Sequence, residues 1–232
     1  MTYAAIHLVL RKEPWILDMQ CEPPHLLLWS RWTERQLNKH REQVKRVLTS
    51  PHCRKIICWV EAGRRALLSW LGSELEDKIE VVYWGVPKRN FTKNYDRERV
   101  RLLFVNSGNI NTMAHFDRKG GSEVLEAFLE LSKRYGNLEL VVRSGLPSSA
   151  KSRYGQRSDI KIIDRPIAWE ELEEEWQSAD IFVLPTRVTP AKVFFDAMSY
   201  ELPIVTTDVW GNPELVSAGK TGLLVHYPPA SR

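Results

Sequence analysis

One stretch constrains this chain more than any other: residues 185–225, PTRVTPAKVFFDAMSYELPIVTTDVWGNPELVSAGKTGLLV. Just before it, the apolar run at residues 181–184 reads as a buried strand that ends at Pro185. A helix is expected to begin near Thr189 and Pro190, and a second strand over residues 203–207. A Gly-Asn-Pro turn, a short helix start at Glu214 and a third strand at residues 223–225 follow. The first helix therefore starts just beyond the carboxyl end of a strand. Open α/β sheets take their ligands there, and a helix N-terminus offers free backbone N–H groups and a positive dipole end to phosphate.

The rest of the chain continues the same alternation. Residues 15–18 read as a short buried strand after Pro14, residues 21–25 as loop, and residues 31–48 as a helix with Leu37, His40, Val44, Val47 and Leu48 on one face. A strand at 55–59, a helix at 62–71 closed by Gly72 and a strand at 79–83 complete the front part. Strand–helix–strand order of this kind implies a parallel sheet with right-handed crossovers. Residues 87–99, polar, charged and opened by Pro87, read as a linker. Beyond it, strands at 101–106, 138–143, 160–163, 181–184, 203–207 and 223–226 alternate with helices near 120–135, 169–177, 190–200 and 212–218. The fold class is α/β: a partial N-terminal α/β domain (1–86), then a complete Rossmann-like parallel-sheet domain (100–232).

Composition narrows the function classes. A hydrophobic fraction of 43% is ample for a core, and no apolar run reaches the roughly 18 residues of a membrane span. The start of the sequence lacks a signal-peptide layout. Cys21, Cys53 and Cys58 are odd in number and without metal-ligand spacing, so they read as reduced thiols of a cytoplasmic protein. The net charge of +4 is uneven: residues 1–95 hold 16 Lys/Arg against 10 Asp/Glu, and the remainder 17 against 19. A basic front part suits peripheral contact with anionic lipid or an anionic acceptor, as well as an ordinary solvated face. Nucleic acid is disfavoured, because the basic residues are dispersed and no nucleic-acid motif accompanies them.

Two segments in fixed order carry a family resemblance. Downstream stand Phe195-Asp196-Ala197-Met198, then Leu202-Pro203-Ile204-Val205-Thr206-Thr207-Asp208, then Gly211-Asn212-Pro213-Glu214. Upstream, Phe104-Val105-Asn106-Ser107-Gly108 precedes Lys119-Gly120-Gly121, Leu125-Glu126-Ala127-Phe128 and Leu138-Glu139-Leu140-Val141-Val142. The chain resembles the retaining glycosyltransferases of family 4 (glycosyl transferases group 1), over residues 100–226 and more loosely over 50–90. The resemblance implies a GT-B-like fold whose second half binds a nucleotide sugar, UDP- or GDP-linked, as substrate. It implies no cofactor and no metal, and a glycan or lipid-linked acceptor approached from the cytoplasmic side. The first half is short for that family, so the chain reads as truncated at both ends or as a natural minimal form.

Transfer from a nucleotide sugar builds negative charge on the departing diphosphate, where cations and N–H donors belong. The resemblance assigns that cation to Lys119, with Arg118 able to assist through its two-pronged guanidinium. A plain surface lysine is the alternative, although a helix start suits a cation poorly. Gly108 fits a close backbone approach or a simple turn. The second acid of the family's paired-acid motif falls at Asp196, on the donor ribose, and Lys119 and Asp196 are the pair expected to matter for the reaction. The first acid falls at Val188, which offers a sugar no hydrogen bond; Arg187 and Thr189 are its polar neighbours. Thr189 and Pro190 also suit an N-cap and first helical position, leaving the Ala191 and Lys192 N–H groups toward the diphosphate. Glu214 is expected near the transferred sugar or as a helix-start carboxylate, and Asp164-Arg165-Pro166-Ile167 resembles the loop that grips the nucleobase. Front-face displacement, the reaction implied, needs no protein nucleophile. Asp18 and His25 are acceptor-side candidates. Trp59, Trp70 and Trp176 look like core, whereas Trp84 and Trp210 flank strand-end loops where a ring can stack on sugar. A non-catalytic nucleotide-sugar-binding module is the competing class. An unrelated epimerase-like domain is weakened by the missing Gly-x-Gly-x-x-Gly.

Overall fold

The computed structural model describes residues 1–5, 8–10, 12–19, 34–94, 98–106 and 113–227. They form two units, Met1–Gly85 and Val86–Arg232.

In the first unit β1 (Thr2–Ala5), β2 (Trp15–Met19), β3 (Cys53–Cys58) and β4 (Ile79–Val81) lie side by side in that order, all parallel. α1 (Glu34–Thr49) and α2 (Glu61–Leu71) are the crossovers, and Gly72, at φ 105, ends α2 as expected. The apolar stripe of α1 delivers Val44 and Leu48 to a core of Trp15, Leu17, Met19, Ile56, Leu67 and Leu71. Lys78 donates to the carbonyls of Leu48, Thr49 and Ser50 at 3.0, 2.9 and 2.7 Å, which places a cation on the carbonyl end of α1. β1 was not expected. Only its Ala4 is buried, so it shows no strand-like alternation, and residues 6–14 are too few for a helical crossover. Leu8 and Val9 from that connection pack on the core instead.

In the second unit β5 (Val100–Val105), β6 (Leu138–Arg143), β7 (Ile160–Ile163), β8 (Ile181–Leu184), β9 (Ile204–Thr207) and β10 (Gly222–Val225) form one parallel sheet, ordered β10-β9-β8-β5-β6-β7. Each expected strand is present within one residue. The chain winds outward from β5 to β7, then returns to the other side of β5 and winds outward again to β10. The carboxyl ends of β5 and β8 are therefore neighbours at the point where the winding reverses, the position of the ligand crevice in doubly wound sheets. Helices α4 (Gly121–Ser132), α6 (Trp169–Ser178) and α7 (Ala191–Ser199) match expectation, with α4 shorter at its C-terminal end. α3 (Met113–Arg118) and α5 (Ser148–Tyr154) were not expected, and α8 (Asn212–Leu215) is a single turn. Leu103, Phe104, Leu140, Val141, Phe182 and Leu184 meet Phe128, Trp176 and Phe194 in the core. Layers on both faces explain why these strands read as unbroken apolar runs.

Residues 87–99 have no helix or strand in their described part, yet they are fastened to the second unit. Phe91 packs 5.5 Å from the Tyr200 ring, and the Arg89 guanidinium lies over Trp169 and Tyr200 at 5.6 and 5.3 Å. Lys93 donates to the Ala179 carbonyl. One aromatic and two cations inside a polar stretch suffice to dock it, so it is a strap on that unit rather than a free linker.

Candidate functional site

The crevice above β5 and β8 is built by two segments stitched together. After α3, residues 118–120 turn back: Gly120 donates to the Asp117 carbonyl at 2.9 Å with φ 76, and its Cα lies against Pro185 with no room for a Cβ. Glycine is thus required by the left-handed backbone and by the contact with Pro185. Gly121 is packed in the same way against the Phe116 ring. The two glycines of the Lys-Gly-Gly motif serve this protein contact; the sequence had suggested a ligand approach. The Arg118 carbonyl accepts the Arg187 N–H at 3.0 Å, which ties the turn to the segment leading into α7. Half-buried Lys119 therefore sits, by backbone position, beside the Pro185–Pro190 approach to the helix.

The other side is the start of α7. Pro190 is its N-cap at φ −88, ψ 63, and no side chain caps it. The Ala191 and Lys192 N–H groups have no carbonyl one turn earlier to bond. Thr189 was expected to cap this helix; that expectation is corrected. Its Oγ1 accepts the Gly211 N–H at 2.9 Å, and the residue is only 2% exposed. A tertiary partner 22 residues away outcompetes the local cap, and the loops after β8 and β9 are joined as a result. Pro190 precedes the first helical residue rather than occupying it.

Asp196 stands on α7, about one and a half turns from its start, half-buried and 2.8 Å from Lys192 Nζ. Val188 is buried and apolar, so it offers a sugar no hydrogen bond. Glu214 is half-buried in α8, where its N–H bonds the Gly211 carbonyl at 3.1 Å. In the loop after β7, Asp164 pairs with Lys151, which holds its carboxyl below the usual range, and Arg165 pairs with Glu171 at 2.6 Å. Trp210, in the turn after β9, is exposed. Gly108 and His25 lie outside the described residues.

Asp18 belongs to the interior of the first unit. It lies within β2 and is 5% exposed; Tyr3 and Trp59 both donate to its carboxylate, the latter at 2.5 Å. A buried carboxylate with two donors is a structural clamp, and this corrects its reading as an accessible acceptor-side group. Trp84 packs on Trp59 with ring centroids 4.1 Å apart. Burial pushes the Cys53 and Cys58 thiols up to about 11 and about 12, so neither is a nucleophile near neutral pH. Among the described residues no group of three His, Cys, Asp or Glu is placed to hold a metal.

The structure adds Arg143, which the sequence reading had passed over. It closes β6, next to β5, and its Nη1 donates to the Asn106 carbonyl at 2.8 Å. Strand alternation puts it on the face of Glu139, and Glu139 joins Arg101, whose guanidinium reaches Ser178 of α6. No described carboxylate pairs with Arg143, its Nε is buried without an acceptor, and desolvation lowers its pKa. The sequence signal was a lone cation ending the apolar strand LELVVR. A cation with spare donors, a helix N-terminus and the Lys119 turn around one crevice can bind a phosphorylated ligand.

Known proteins resemble the chain in sequence and in fold. The sequence pattern described as glycosyl transferases group 1 matches residues 101–231. The D-inositol 3-phosphate glycosyltransferase of Paenarthrobacter aurescens (strain TC1) is 27% identical over 209 residues, which is 84% of this chain and 51% of that protein. A GDP-mannose-dependent alpha-(1-6)-phosphatidylinositol monomannoside mannosyltransferase of Mycolicibacterium smegmatis is 30% identical over 121 residues, 47% of this chain and 31% of its own length. The chain thus spans about half the length of the first relative and less of the second. Among solved structures, WaaG, a glycosyltransferase involved in lipopolysaccharide biosynthesis, superposes with a TM-score of 0.66 at 16% identity, covering 94% of this chain and 63% of WaaG. Anabaena Alr3699/HepE, solved with UDP and glucose, gives 0.65 at 14% identity, covering 92% and 58%. These two likenesses establish the GT-B architecture.

Proposed function

The chain belongs to the glycosyl transferases group 1 family, and from that premise we propose that it moves a sugar from a nucleotide-sugar donor to a glycan or lipid-linked acceptor, with retention of configuration. The observation that carries this reading is the junction of the Lys119 turn with the approach to α7, above neighbouring strand ends β5 and β8. The diphosphate lies there, on the Ala191 and Lys192 N–H groups, with Lys119, Arg118 and Arg143 as the surrounding cations. The nucleoside extends toward Asp196 and the Arg165 loop after β7, and the sugar toward the loop after β9 that carries Glu214. The donor is UDP- or GDP-linked, and the departing phosphate assists removal of the acceptor proton, so no cofactor takes part.

The basic surface of α1, where Arg35, Lys39, Arg41 and Arg46 are exposed, supports peripheral contact with an anionic membrane on the cytoplasmic side. No described helix is long and apolar enough to cross a membrane.

Titration calorimetry with UDP- and GDP-sugars tests the reading. Lys119→Ala is expected to weaken binding by roughly 1.5–3 kcal/mol, the worth of one hydrogen bond from a charged donor. A folded protein that binds no nucleotide sugar would overturn it. Buried Val188, where the family motif has an acid, favours a second reading, a binding module without catalysis. Donor binding with neither hydrolysis nor transfer over a broad acceptor panel would select that second reading.

A further inference from the structure

Trp210 is a residue choice that the fold does not explain. It lies in the turn after β9 with φ 49, and only Glu201 shares a positive φ among the described non-glycine residues. A bulky side chain is disfavoured there where glycine is not. The indole is also 47% exposed, and no described residue hydrogen-bonds to it, stacks on it or places a cation over it. Other tryptophans of the chain are accounted for. Trp15 and Trp176 are fully buried, Trp84 rests on Trp59, and Trp169 has Arg89 and Lys192 at its ring.

The turn does not need the indole to keep its shape. Gly211 donates to Thr189 Oγ1 at 2.9 Å, Asn212 N–H to the Val209 carbonyl at 3.1 Å, and Asn212 Nδ2 to the Thr207 carbonyl at 3.2 Å. Trp210 therefore carries two unfavourable features on a backbone fixed by other groups. Its location supplies the reason. The next residue is bonded to Thr189, two positions before the first residue of α7, on the β9 side of the crevice.

We propose that the Trp210 indole is the stacking platform for the pyranose ring of the donor, a reading that rests on the nucleotide-sugar site described above. A neutral aromatic face held open to solvent matches the C–H face of a hexose, and a ring on a locked turn loses little freedom on binding. It sits where the sugar leaves the diphosphate, away from the loop after β7.

The test is calorimetry with UDP, GDP, UDP-glucose and GDP-mannose on the unaltered chain and on W210A, W210F and W210G. Affinity for the nucleoside diphosphates is expected to stay within about two-fold, whereas the extra affinity contributed by the sugar falls roughly 3- to 10-fold in W210A and W210G. W210F retains most of it. An unchanged ratio of sugar-bearing to sugar-free affinity in W210A overturns the proposal. So does an equal loss for UDP or GDP alone, which would place the ring on the nucleobase. If the unaltered chain binds no nucleotide at all, the underlying site reading fails first, an outcome distinct from nucleotide binding with an unchanged sugar increment.

Discussion

Thr189→Val isolates the bond that joins the loops after β8 and β9. The substitution replaces Oγ1 by a methyl group at a position 2% exposed, and leaves the Gly211 N–H, itself in a buried residue, facing hydrocarbon. A buried donor without its acceptor costs about 1–3 kcal/mol. The added methyl returns about 0.8 kcal/mol of burial. The net loss is about 1 kcal/mol, or about 4 °C in Tm for a unit of this size. Thr189→Ser keeps Oγ1 and loses a buried methyl, so its stability loss is similar, again about 1 kcal/mol. The two variants should then separate on binding: the serine form keeps the affinity for UDP or GDP, and the valine form loses part of it as the Gly211 turn detaches from α7. Thermal unfolding followed by circular dichroism, with calorimetry on both variants, reads this. Equal nucleotide affinity in the two forms would refute the idea that the hydroxyl shapes the crevice.

Arg143→Met removes a desolvated cation without a carboxylate partner, so unliganded stability is expected to fall by less than about 1 kcal/mol while the nucleotide-induced rise in Tm shrinks. A large stability loss with an unchanged nucleotide-induced rise would make Arg143 purely structural. Asp159 and Asp164 have carboxyls held low by their bonds to Arg157 and Lys151. A depressed folded pKa contributes stability that is present above the unfolded value of about 3.9 and is lost as pH falls through the folded one. Urea midpoints should therefore decline below about pH 4, less steeply in Asp159→Asn, and an identical acid limb in the variant would contradict this.

What could be read from the sequence follows from what burial does to residue choice. Phe104-Val105 and Val141-Val142 announce central strands because helices cover both faces of the second sheet. β1 was missed because its Thr2, Tyr3 and Ala5 are exposed and leave no pattern. The position of α7 was legible from Pro190, but the partner of Thr189 was not, because capping is local and Gly211 is distant in the chain. Arg143 was visible as a charge ending an apolar strand. Only the strand order, which puts β6 beside β5, gives that charge a crevice to serve.

The two threonines of β9 show why that crevice is rigid. β8 and β9 stay paired as far as Leu184 and Thr206, and the chain leaves the sheet at Pro185, where the site begins. Thr206 Oγ1 donates to the Leu184 carbonyl at 2.8 Å and Thr207 Oγ1 to the Thr186 carbonyl at 2.5 Å, so side-chain hydroxyls continue the join past the last backbone pair. Asn212 Nδ2 then reaches Thr206 Oγ1, Thr207 Oγ1 and the Thr207 carbonyl, which draws α8 onto the same strand end. Buried hydroxyls in a strand that reads IVTT thus fasten the exit of β8 to the end of β9. Because the same threonines hold Asn212, next to the Gly211 that bonds Thr189, the segments around the crevice are held by one hydrogen-bond network before any ligand arrives. Binding energy then need not be spent on ordering them.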